Sequence, residues 1–229
     1  MGVGTFIHHI GTVFLLVATV LLIIADISSP VIDSISMLRV DFDDNTSKSD
    51  FTFGTLGYCQ LNVDGEDICS HKMIGYNPAK LLEAVDNDID FGSASEDTSK
   101  GLTRVMVLHI VGTVFAFIAF LLCIGTNTFF SLLASIFSGL AFIVTIVATA
   151  CNFVAFSIVK HKVNEVDGNK ATYGSAIWCV LAAAILTFFA TIIVFFTCCA
   201  GRKKRKHDAS KEANFAQDTV PKKKFWQRR

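Results

Sequence analysis

Four long apolar runs, at residues 6–27, 104–124, 129–158 and 174–199, limit what this chain can become more than any other feature. An α-helix rises about 1.5 Å per residue, so about 20 residues cross the ~30 Å hydrocarbon core of a bilayer. Each run meets that length. A soluble domain of 229 residues would show one apolar stripe per helix, not helices apolar on every side. The three prolines, Pro30, Pro78 and Pro221, all fall outside the runs. The first run is too long for the apolar region of a secretory signal and is preceded by no Lys or Arg, so it reads as a retained span. The expectation is a mainly α membrane protein: a four-span unit over residues 1–200 and a tail over 201–229.

The zero formal net charge conceals two opposite blocks. Residues 28–101 carry 14 Asp and Glu against 5 Lys and Arg, and residues 201–229 carry 11 Lys and Arg against 3 Asp and Glu. Basic residues next to a span favour the cytoplasmic side. Arg202, Lys203, Lys204, Arg205 and Lys206 follow the fourth run directly, which places the tail in the cytoplasm. Four crossings return the N-terminus to the same side. The 28–101 loop and the 159–172 loop then face outside, although Lys160, Lys162 and Lys170 run weakly against the rule. The third run is longer than the core needs, so its outer end is expected to project and support the loops.

Small residues recur at seven-residue spacing in every run. The first has Gly4, Gly11, Ala18 and Ala25; the second has Gly112, Ala119 and Thr126. The third has Ala134, Ala141, Ala148 and Ala155; the fourth has Ala176, Ala183, Ala190 and Thr197. A heptad repeat keeps one face aligned along a left-handed crossing. In lipid, small residues let backbones approach closely where no hydrophobic drive brings helices together. The expected arrangement is a left-handed four-helix transmembrane bundle with bulky Phe and Leu facing lipid; Ala and Gly are common enough here that chance also yields such series. His8, His9, Asp26, His109 and Asn152 stand out among the polar groups of the runs, and no proton relay is recognisable among them.

The 74-residue loop at 28–101 is long enough to fold. Strand-like stretches at 34–42, 50–60 and 68–74 predict a small antiparallel β-sheet over the bundle. Residues 84–100 read as loose or partly helical. Cys59 and Cys69 are the two cysteines of this loop, and a pair in an oxidising compartment reads as a disulfide. A metal pair is the alternative, with only His71 close by as a third soft ligand. Asn45-Thr46-Ser47 is a glycosylation sequon in a turn-like stretch. Cys198 and Cys199 abut the basic tail and are candidate palmitoylation sites. The tail cluster, with Lys222, Lys223 and Lys224 beside Phe225 and Trp226, suits contact with anionic lipid as well as a topology signal.

Phe53-Gly54-Thr55-Leu56-Gly57-Tyr58-Cys59, followed by Cys69-Ser70 and by Gly75-Tyr76, resembles the signature of the fungal PalI / Sur-seven family of four-span plasma-membrane proteins. Ser28-Ser29-Pro30 after the first run, and Leu102-Thr103-Arg104 with Leu108-His109 in the second, are similar to that family too. The likeness covers roughly residues 1–200. A more distant one is to the claudin signature, with Leu56-Gly57-Tyr58 standing where claudins carry Leu-Trp. The resemblance implies a claudin-like fold and non-enzymatic work in the plasma membrane. PalI-like members assist a multi-span sensor of ambient pH; Sur-seven-like members organise membrane domains acting on cell wall, endocytosis and stress response. A claudin-like pore or channel component is the third class.

Motif content excludes the commonest enzyme classes. The sequence has no Walker loop, no HExxH, no Gly-x-Ser-x-Gly and no clustered metal ligands, so no catalysis and no cofactor are called for. The expected partners are membrane lipids and a multi-span membrane protein, with a homo-oligomer equally open to the small-residue seam and nucleic acid not expected.

Overall fold

The computed structural model describes residues 3–32, 34–42, 49–63, 65–125 and 128–219, with side chains described up to residue 198 outside a few positions. Its elements in chain order are α1 (Val3–Asp26), β1 (Leu38–Asp41), β2 (Phe51–Phe53), β3 (Tyr58–Val63), β4 (Glu66–Cys69), α2 (Pro78–Val85), α3 (Gly92–Val105), α4 (Val107–Ile124), α5 (Thr128–Val163), β5 (Lys170–Tyr173) and α6 (Ser175–Thr219). Four helical stretches are long and apolar enough to cross a membrane: Phe6–Asp26, Ser95–Ile124, Phe129–Val163 and Ser175–Cys198. The chain is a multi-pass membrane protein with a small β-sheet, in a claudin-like arrangement.

The four long helices pack in a ring: α1 against α4 and α6, and α5 against the same two. Their contacts run through the small residues. Ala18, Ala25, Ala119, Ala134, Ala141, Ala148, Ala155, Ala176, Ala183 and Ala190 are all fully buried, and Gly11 and Gly112 are buried as well. Bulk points the other way, with Phe117, Phe188, Phe189, Phe195 and Phe196 all exposed on the bundle surface. A Cβ at Gly11 would sit 2.9 Å from Ile193 Cγ2, and one at Gly112 would sit 2.9 Å from Thr145 Oγ1. Helices this close leave no space for a larger side chain.

Above one end of the bundle lies a five-stranded antiparallel sheet of order β4-β3-β2-β1-β5. The stretch expected as one strand at 50–60 is two, β2 and β3, because residues 54–57 turn the chain back on itself. The third expected strand forms earlier, as Glu66–Cys69. The fifth comes from the second loop: Lys170–Tyr173 pairs with β1, Leu38 opposite Tyr173 and Asp41 opposite Lys170. Four residues are too few to show a period, so β5 is invisible until β1 offers it a ladder. Residues 84–100 divide between the end of α2, a linker and α3. Asn77 caps α2, its side chain accepting from Lys80 N, and Pro78 follows where a missing N–H costs nothing.

The sheet and α2 share one core with the projecting end of α5. Phe53, Leu38, Met37, Val40, Leu82 and Ile89 pack with Phe156, Val159 and Val163. The 36 residues of α5 extend roughly 54 Å at 1.5 Å each, well past a bilayer core, so its last turns become a pillar for the cap.

Candidate functional site

Most of the chemistry in the cap gathers where the signature residues meet the ends of the first two spans. The hairpin turn between β2 and β3 presses on the chain leaving α1. A Cβ at Gly54 would collide with the Ser29 carbonyl oxygen and lie 2.7 Å from Ser29 N. Gly57 has φ +154°, and a Cβ there would strike Ser70 Oγ and lie 3.2 Å from the Pro30 ring. Only glycine fits both places. The contact is then fastened by hydrogen bonds: Thr55 Oγ1 donates to Ala25 O at 2.8 Å, Thr55 N to Ser28 Oγ at 3.1 Å, and Ser29 Oγ to Thr52 Oγ1 at 3.1 Å.

The second half of the signature continues the same clasp. Cys59 and Cys69 are opposite residues of β3 and β4 and are joined by a disulfide. Ser70, next along, accepts from Tyr58 N at 3.1 Å. Gly75, at φ +74°, lets the chain pass against the Arg104 side chain. Tyr76 then turns inward: its ring stacks on Phe53 at 6.1 Å, its hydroxyl donates to Gly54 O at 2.7 Å, and its carbonyl accepts from Thr103 Oγ1 at 2.6 Å. Burial pushes the Tyr76 phenol well above its ordinary range, because the phenolate would lose its solvation. A continuous path thus runs from the end of α1 through Gly54 and Tyr76 to the start of the second span. Every signature residue has a positioning task, and none is paired as nucleophile with base.

Beyond the clasp, the sheet face carries an open polar groove of about 360 Å³ lined by Ser34, Arg39, Asp50, Leu61, Asn62 and Asp67. Arg39 bonds Asp41 at 2.6 Å and Asp50 at 3.4 Å, which holds its guanidinium even more firmly protonated. Among the described residues no group of three or more His, Cys, Asp or Glu could hold a metal ion.

The remaining sequence candidates separate into three groups. Asn45 and Lys222, Lys223 and Lys224 lie outside the described residues. Arg202, Lys203, Lys204, Arg205 and Lys206 fall on the continuation of α6, whose backbone is helical to Thr219. Cys198 is buried at the end of the bundle. Polar residues seen one at a time in the sequence are paired in space: Asp26 Oδ2 accepts from Thr113 Oγ1 at 2.7 Å, Asn152 Nδ2 lies 2.5 Å from His109 Nε2, and His8 Nε2 donates to Cys123 O at 3.1 Å. Sequence reasoning missed the polar latch between the two loops. Asn169 Nδ2 donates to Asp86 Oδ2 at 2.8 Å, and within the second loop Asn164 Oδ1 accepts from Ala171 N at 2.7 Å. The Asp-Gly-Asn run at 167–169 is a turn signal that marks the place but not the partner.

The SUR7/PalI family model matches residues 6–190, which takes in the first three spans, most of the fourth and the whole clasp. The chain belongs to the SUR7/PalI family. Two curated relatives are similar to it. The pH-response regulator protein palI/prr-5 of Neurospora crassa is 30% identical over 112 residues, 49% of this chain and 14% of the relative. The pH-response regulator protein palI/RIM9 of Emericella nidulans is 29% identical over 98 residues, 43% of this chain and 15% of the relative. The chain therefore covers about one-seventh of the length of these SUR7/PalI proteins. Within the SUR7/PalI membership, the signature acts here as the fastening between spans and cap.

Proposed function

We propose that the chain is a non-enzymatic accessory protein of the plasma membrane that assists a multi-span membrane sensor in ambient-pH signalling. The observation that carries this reading is the likeness to two curated proteins named as pH-response regulators, within a family match over residues 6–190 that covers most of the four-span unit. The geometry agrees with accessory work. The clasp residues are spent on architecture, leaving the sheet face and the outward bulk of the bundle as surfaces for contact. Both termini are taken to be cytoplasmic, with the acidic cap outside, where it meets ambient pH. The basic stretch at 202–206 would hold anionic lipid at the inner surface, each Lys or Arg adding about 1 kcal/mol.

The test is affinity capture of the tagged full chain from its own cells in mild detergent, followed by mass spectrometry. Recovery of a multi-span sensor in near-equal amount is the expected result. Recovery of membrane-domain coat proteins, wall synthases or only the chain itself would overturn the sensor role in favour of membrane-domain organisation.

A further inference from the structure

The contact between α4 and α5 contains polar atoms that the protein does not satisfy. His109 is fully buried and Asn152 is 1% exposed. Asn152 Nδ2 stands 2.5 Å from His109 Nε2, while His109 Nδ1 and Asn152 Oδ1 have no partner. Thr145 lies two turns before Asn152 on α5. Its Oγ1, also unpartnered, faces Gly112, one turn beyond His109 on α4.

Neither hydrogen assignment repairs this. If the amide N–H donates to Nε2, then Nδ1 carries the proton; a donor at Nδ1 and an acceptor at Oδ1 are left over. If the amide is turned so that Oδ1 accepts from Nε2–H, then Nδ1 is a bare acceptor and the amide N–H groups are bare donors. Both choices leave at least one donor and one acceptor in a region of low dielectric, where an unmade hydrogen bond is costly. A species that donates and accepts at once resolves either case, and water is the smallest one that can reach between two packed helices.

We propose that the α4–α5 contact holds bound water hydrogen-bonded to His109 Nδ1 and to the Asn152 side-chain amide. The site lies in the half of the bundle nearer the sheet, where α4 begins and α5 runs on into the cap. Water there makes the pair an integral joint between two spans rather than a defect in an apolar seam. The proposal is independent of the pH-signalling role.

The test is solid-state NMR of the full chain in lipid bilayers, labelled with ¹⁵N-histidine. Magnetisation selected on water is transferred to the imidazole nitrogens. The His109 signal is identified by its loss in His109→Gln. Where that variant does not fold, through-space contact with a ¹³C-labelled asparagine side chain identifies it in the unaltered protein. The expected result is transfer from water to His109 Nδ1, as to the exposed ring of His71. Transfer to His71 with none to His109 would mean a dry contact and would overturn the proposal.

Discussion

The cap and the bundle bury opposite kinds of side chain. In the cap the fully buried residues are large: Phe53, Met37, Leu38 and Leu82, with Phe51, Ile89 and Tyr76 nearly so. In the bundle most are alanines, and Phe117, Phe188, Phe189, Phe195 and Phe196 are turned outward. The difference follows from the solvent. In water, removing apolar area is itself the driving force, so large side chains go inside. In lipid, a Phe gains no hydrophobic advantage by moving from acyl chains to the bundle interior, and the helices associate through close backbone approach instead. The cap is consequently rich in covalent and hydrogen-bonded fastenings, and the bundle in tight seams.

That contrast can be broken most forcefully at Phe53. Phe53→Ala is expected to cost about 3–5 kcal/mol of cap stability, and to open the loop to protease while the helical circular dichroism of the bundle stays. Loss of both together would mean that cap and bundle unfold as one unit.

The Cys59–Cys69 bridge comes next. Replacing both by Ser releases a loop closed across ten residues and is expected to cost about 2–3 kcal/mol on the chain-entropy view. Denaturant unfolding of the cap, with and without reductant, measures it. The altered protein should no longer respond to reductant.

In the bundle the sign of the size rule reverses. Ala141→Leu is expected to destabilise by about 1–3 kcal/mol through overpacking, read as a lower melting temperature in lipid nanodiscs. Phe196→Ala, a deletion at a site 66% exposed, should change that temperature by less than about 0.5 kcal/mol equivalent. If the exposed deletion hurts more, Phe196 is a contact to another protein and not to lipid.

Tyr76 supplies a prediction in pH. Its folded phenol is held above the unfolded value of 10, so the neutral form is favoured on folding. The stabilisation is fully present below pH 10 and declines as pH rises beyond it. Tyr76→Phe should remove that alkaline decline and lower cap stability at neutral pH by about 1 kcal/mol, the worth of one hydrogen bond to Gly54 O. Cap melting followed from pH 7 to 11 in both proteins checks it.

Much of this architecture can be read along the chain because lipid enforces simple rules. Spans show as apolar runs, the seam as Ala and Gly every seven residues, and the cap as a long acidic loop with two cysteines. The signature glycines were legible as a pattern but not as a task. Gly54 and Gly57 matter because Ser29, Pro30 and Ser70 come to lie against them, and no local rule names those neighbours. β5 was missed for the same reason: Lys170–Tyr173 is too short to announce a strand and becomes one only by pairing with β1.

The membrane class, the four spans, the cysteine pair of the cap and the small-residue faces are all written along the chain, since each depends on composition or spacing within one segment. The ring order of the helices, the Tyr76 clasp between the ends of two spans, the fifth strand and the meeting of His109 with Asn152 arise only on folding. Those depend on which distant surfaces fit at van der Waals distance, and a pair 43 residues apart leaves no periodic trace in the chain.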